Sequence, residues 1–271
     1  FFQNDQSRND AMIVDGVEIV TWGNYSLGGE QDPNYVGRMW YSSDYGQTVK
    51  CAIKFGTTQI SGQATAVRHV HGALFNKYNG KFLIFTGDFG DECQLIEGIY
   101  TPGSDSWTFT KLGQGDNFKF GDILFRENFV YLVTDYTTPV ATNPRGILRC
   151  PYSMLSDYSK YEYICKLDPS YTGSLIGALE DEHGNKLLFP DGSGRGKLWY
   201  CKRNFDFQQL EISENVVITN VGSPNYNGDI YARKSQGSAS FPFKLSPMVN
   251  LTKSMRNSGC VDFFVQDNVL L

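Results

Sequence analysis

An internal repeat constrains this chain more than any other feature. A turn signal followed by a compact apolar strand recurs five times. The copies are Asp15-Gly16 before Val17-Glu18-Ile19-Val20, Asn79-Gly80 before Phe82-Leu83-Ile84-Phe85, and Glu127-Asn128 before Val130-Tyr131-Leu132-Val133. Gly184-Asn185 before Leu187-Leu188-Phe189 and Asn227-Gly228 before Ile230-Tyr231 complete the set. They return at intervals of about 43 to 64 residues, a period typical of arrays and propellers.

Upstream of each turn lies another short segment, in four copies with a glycine: Gly72, Gly121, Gly177 and Gly222. Such glycines permit close backbone approach where inner strands crowd round an axis. A third strand opens with glycine beside a basic residue in Gly37-Arg38-Met39-Trp40-Tyr41, Arg145-Gly146-Ile147-Leu148-Arg149 and Gly196-Lys197-Leu198-Trp199-Tyr200. A fourth follows, as in Trp107-Thr108-Phe109-Thr110 and Tyr161-Glu162-Tyr163-Ile164. No segment sustains a 3.6-residue apolar period, so helices should be scarce. The expected fold is all-β: a single β-propeller over 1–271, of about five four-stranded blades at 9–58, 64–113, 115–168, 170–214 and 216–266. A many-stranded sandwich is the rival, but it does not explain the ordered return of the same elements. The tail Cys260-Val261-Asp262-Phe263-Phe264-Val265 reads as the last outer strand or the closure of the ring.

Composition narrows the function. With 41% hydrophobic and 14% aromatic residues the chain folds around a real core. A net charge of −5 without any Lys/Arg run argues against nucleic acid as a partner. No run of 18 apolar residues suggests membrane insertion, and the start at Phe1 reads as part of a longer chain. The 6 cysteines are dispersed, without zinc-type spacing, and read mainly as buried strand residues; Cys150 with Cys165 is a conceivable disulfide.

Two motifs carry a family resemblance. Ser42-Ser43-Asp44-Tyr45-Gly46-Gln47-Thr48-Val49 resembles the Asp-box, S-x-D-x-G-x-T-W, of sialidase-like propellers, with Val49 in the aromatic's place. In that family the motif is a hairpin turn, so Asp44 is read as a fold marker whose side chain bonds turn backbone. His69-Val70-His71-Gly72 followed by Thr86-Gly87-Asp88 looks like the H-x-H-G…T-G-D segment of sialidase-like, Asp-box (BNR) proteins of bacteria and phages. The resemblance implies the propeller fold and, among its members, phage tail-fibre or adhesin domains. The family's R-I-P signature is absent, and none of Arg38, Arg68, Arg126, Arg145, Arg149, Arg195 and Arg233 takes over an arginine-triad role. A typical sialidase activity is therefore not expected.

Inner-strand ends and their loops line a propeller's axial funnel, where ligands enter. Candidate ligand-binding residues are His69, His71, Arg68, Trp22, Tyr25 and Tyr136; the aromatics follow second strands and would stack on sugar C–H faces. Alternation places His69 and His71 on one face, compatible with a metal or an anion or with buried structural histidines. No metal or cofactor is assigned. Asp88, Asp135 and Asp191 close second strands; Asp88, Asp135 and Asp122 would be the catalytic carboxylates if the chain is an enzyme.

The leading expectation is a glycan-recognising propeller, the receptor-binding part of a phage tail fibre or an adhesin, extracellular or virion-associated. Its partner would be a cell-surface polysaccharide or glycan, with assembly into a homo-trimer or a larger particle. The alternatives are a glycoside hydrolase with carboxylates in the funnel, and a structural platform.

Overall fold

The computed structural model describes residues 10–23, 37–56, 67–136, 145–166, 175–180, 186–190, 198–201, 211–213, 216–218, 232–234, 244–245, 265–266 and 269–270. They form an all-β protein with antiparallel sheets; apart from strands, the described residues hold only short 3-10 turns.

The first sheet is a four-stranded meander of β1 (Asp10–Val14), β2 (Val17–Gly23), β3 (Arg38–Ser42) and β4 (Lys50–Lys54). The second repeats that order with β5 (Val70–Asn76), β6 (Lys81–Thr86), β7 (Gln94–Thr101) and β8 (Ser106–Gln114). The third has β9 (Phe120–Phe125), β10 (Phe129–Thr134), β11 (Gly146–Pro151) and β12 (Glu162–Lys166). The fourth has β13 (Leu175–Glu180), β14 (Lys186–Pro190), β15 (Leu198–Cys201) and β16 (Glu211–Ser213). Turn chemistry sets this pattern. Asp15 and Gly16, at φ 46° and 81°, join Val14 to its partner Val17 in the doubly positive turn that matches strand twist.

The fifth repeat is described only in short pieces. β17 (Val216–Ile218) pairs antiparallel with β18 (Ala232–Lys234). β19 (Lys244–Leu245), β20 (Val265–Gln266) and β21 (Val269–Leu270) form a separate sheet in which β19 and β21 run parallel. A parallel pair needs a crossover connection and cannot belong to a hairpin meander. The turns Gly184-Asn185 and Asn227-Gly228, Gly222, and 260–264 of the tail lie outside the described residues.

The chain divides into two compact units, one of residues 4–131 and 150–161, the other of residues 1–3, 132–149 and 162–271. In the first unit, burial falls from the leading strands of a sheet to its last. β5 and β6 are buried on both faces, whereas β8 alternates exposed and half-buried positions. Leading strands are therefore covered by neighbouring layers on both sides and read as near-continuous apolar runs. Ile19, Met39, Ile53, Phe55, Val70, Phe82 and Ile84 form its core. Each such side chain contributes about 1.5–3 kcal/mol when fully buried. Thr21 Oγ1 donates to the Ala73 carbonyl at 2.8 Å, tying β2 to β5. Gly23 is required there, since a Cβ would lie 2.5 Å from Val70.

In the second unit, Thr134 Oγ1 accepts from Gly146 N at 2.8 Å, and Arg145 Nε donates to the Tyr136 carbonyl at 2.5 Å. Cys150 is a free thiol, so the disulfide with Cys165 that the spacing admitted is not formed. Burial pushes the Cys150 thiol up to about 12, with Asp157 adding to it, which makes it inert.

Candidate functional site

The H-x-H-G…T-G-D segment builds one constellation at the end of the β5–β6 hairpin. Val70 pairs with Thr86 and Gly72 with Phe85, so His71 is the extra residue of a β-bulge. Bulges re-aim a side chain. His69, just before β5, accepts from Gly87 N through its carbonyl at 2.9 Å. Both rings then reach Asp88: His69 Nδ1 lies 2.6 Å from Asp88 Oδ2, and His71 Nε2 lies 3.3 Å from Oδ1. His71 Nδ1 sits 2.9 Å from the Phe120 carbonyl of β9. A carbonyl only accepts, so that nitrogen carries its proton and Nε2 faces the carboxylate.

Each remaining letter of the motif has a job. Gly72 is required because a Cβ would meet the Phe85 ring at 2.4 Å, so a neighbouring side chain imposes it rather than crowding at an axis. Gly87, at φ 81°, admits no side chain, since a Cβ would lie 2.1 Å from the Glu92 carbonyl. Thr86 Oγ1 donates to that carbonyl at 2.7 Å and accepts from Gln94 N at 3.2 Å. The turn after β6 is thus fixed from both sides, and Asp88 with it.

His69 and His71 are 6% and 8% exposed. Burial alone raises the Asp88 carboxyl, but the two histidines beside it pull it well below the usual carboxylate range. Asp88 is therefore an oriented, ionised carboxylate. Its neighbour Phe89 is 64% exposed. The Arg68 guanidinium stands 5.0 Å and Lys119 Nζ 5.5 Å from the Phe89 ring centroid, within cation–π reach. Arg68 Nε also donates to both Glu92 carboxylate oxygens at 2.9 Å, which offsets its charge.

The structure thus brings together His69, His71 and Asp88, while Arg68 lies on the Phe89 ring and pairs with Glu92. Asp122 is 1% exposed and its Oδ1 accepts from Ile123 N at 2.7 Å, giving a ligand little access. Asp135 and Tyr136 belong to the other unit, both buried at 6%. Trp22 is a core residue of β2 at 7% exposure. Trp22 and Tyr136 therefore offer no open stacking face, a correction to the sequence reading: Trp22 on β2 and Tyr136 just beyond β10 are both buried. Tyr25 and Asp191 lie outside the described residues. The exposed aromatic that sequence reasoning missed is Phe89, and its position directly after T-G-D is the signal that would have found it.

No protein-family model matches the chain, and no curated protein matches it by sequence. Similarity to solved structures is loose and low in identity. A prolyl endopeptidase structure aligns with TM-score 0.43 and 12% identity, over 83% of this chain; the chain spans only 31% of that longer protein. A family 117 glycoside hydrolase from the marine bacterium Zobellia galactanivorans aligns with TM-score 0.46 and 16% identity, over 78% of this chain and 68% of that one. An α-L-arabinofuranosidase from Fusarium graminearum aligns with TM-score 0.46 and 16% identity, over 85% and 75%. These proteins differ in reaction, so the functional reading rests on the site itself.

Proposed function

We propose that the chain is a β-propeller of about five blades that binds a cell-surface glycan at the Arg68–His69–His71–Asp88–Phe89 constellation. The observation that carries this is the exposed Phe89 ring, next in the chain to the Asp88 carboxylate that His69 and His71 orient. A pyranose presents one apolar C–H face and a rim of hydroxyls, so it needs a flat ring next to fixed hydrogen-bond partners. The four-stranded meanders with buried leading strands support the blade reading. A receptor-binding module of a phage tail fibre or adhesin, outside the cell or on a virion, fits such a site, as does a homo-trimeric assembly.

A second reading, glycoside hydrolysis, is favoured by Asp88 itself. An ionised carboxylate oriented by two histidines could serve as nucleophile, but the reaction also needs a carboxyl held high as acid. Incubating the protein with bacterial polysaccharides and host glycans, then weighing the retained and released chains, separates the two. Intact retained glycans, weakened about tenfold (~1.4 kcal/mol) by Phe89→Ala, support recognition. Shortened chains, lost in Asp88→Asn, support hydrolysis. Neither retention nor shortening overturns both.

A further inference from the structure

We propose that His69, His71 and Asp88 form a binding site for a divalent transition-metal ion of the zinc class. One ligand atom from each of His69, His71 and Asp88 lies within 4.8 Å of the others, and the nitrogens that face Asp88 are His69 Nδ1 and His71 Nε2. Two imidazoles and one carboxylate are the donor set that suits zinc, iron or copper rather than calcium or magnesium, and three protein ligands leave a coordination position for water or a ligand oxygen.

Two further observations distinguish this cluster from an ordinary buried ion pair. His71 directs its Nδ1–H onto the Phe120 carbonyl at 2.9 Å. That outer contact fixes tautomer and ring orientation in metal-ligating histidines and leaves Nε2 as the inward donor. The other is the bulge at His71, which spends an irregularity of the β5–β6 ladder on turning this one ring toward Asp88. The 3.3 Å between His71 Nε2 and Asp88 Oδ1 is long for a charge-assisted hydrogen bond, yet it matches the edge of a tetrahedron whose metal–ligand bonds are about 2.0–2.2 Å. Arg68, next in the chain to His69, is balanced by Glu92.

The site is read without any glycan, so it stands or falls apart from the proposed function. The test is calorimetric titration of chelator-treated full-length protein with zinc chloride, followed by cobalt(II) substitution and its visible spectrum. The expected result is one equivalent bound, with affinity lowered at least about tenfold in His71→Gln and Asp88→Asn and unchanged in Cys51→Ser, which removes the exposed thiol. Cobalt bands of nitrogen and oxygen ligation, without thiolate charge transfer, support the site even if a ligand variant does not fold. Absence of stoichiometric zinc on the folded wild type would overturn it. So would thiolate bands, or wild-type affinity in both ligand variants.

Discussion

Gly80 and Gly87 hold the same left-handed backbone, at φ 72° and 81°, for different reasons. Nothing lies within 4 Å of a Cβ built on Gly80, whereas one built on Gly87 would strike the Glu92 carbonyl at 2.1 Å. Gly80→Ala should therefore cost only backbone strain, about 1–2 kcal/mol. Gly87→Ala adds a collision with backbone that cannot move without releasing Asp88; we expect at least about 3 kcal/mol. Urea midpoints of both variants check the contrast, which equal costs would contradict. Asp44 supplies a pH-dependent counterpart. Its Oδ1 accepts from Thr48 N at 2.8 Å and its Oδ2 from Thr48 Oγ1 at 2.6 Å, while Ser42 Oγ donates to Oδ1 at 2.8 Å. The Thr48 bonds lead in holding the carboxyl down, at about 2 against an ordinary 3.8. A depressed carboxyl stabilises the fold above its unfolded pKa and loses that contribution as pH falls through the folded one. The melting-temperature gap between wild type and Asp44→Asn should thus be present at pH 7 and close between about pH 4 and 2.

The β5–β6 hairpin shows where sequence reading succeeds and where it stops. Its turn was legible because Asn79-Gly80 supplies the positive φ that a tight hairpin demands, and Phe82-Leu83-Ile84-Phe85 was legible as a buried run. The convergence of His69 and His71 on Asp88 was only half legible. Alternation placed both histidines on one face, but the bulge depends on how β6 registers against β5, which no local pattern encodes. Phe89 escaped notice because exposure belongs to the tertiary fold: Trp22 and Tyr136 stand at similar strand ends and are buried. The hairpin's energetics follow its burial. Phe82 is fully buried, packed on Phe75 at 5.1 Å and on Trp107 at 4.8 Å between ring centroids. Phe82→Ala should cost about 3–5 kcal/mol. Ile99, on the neighbouring strand β7, is 39% exposed, and Ile99→Ala should stay within about 1 kcal/mol. Equal destabilisation in thermal melts would mean that the burial gradient across the sheet is not what holds it.

At the scale of the whole molecule, the question is how a chain of repeated meanders avoids open sheet edges. An unpaired edge presents a row of free N–H and C=O groups that invites pairing with another chain. A propeller removes that liability by closing into a ring, and closure draws on strands from the chain's far end. The described C-terminal strands pair with one another: Val269–Leu270 lies parallel to Lys244–Leu245 and antiparallel to Val265–Gln266. Pairs of two residues have little stability of their own. A chain ending at Asn257 would lose β20 and β21 and leave β19 without its partner. If the ring closes there, the truncated protein melts at lower temperature, and its light scattering rises with concentration while the full chain stays monodisperse. If melting is unchanged and no aggregate forms, closure is made by other strands, and the blade count must be redrawn from sheets that end at Ser213.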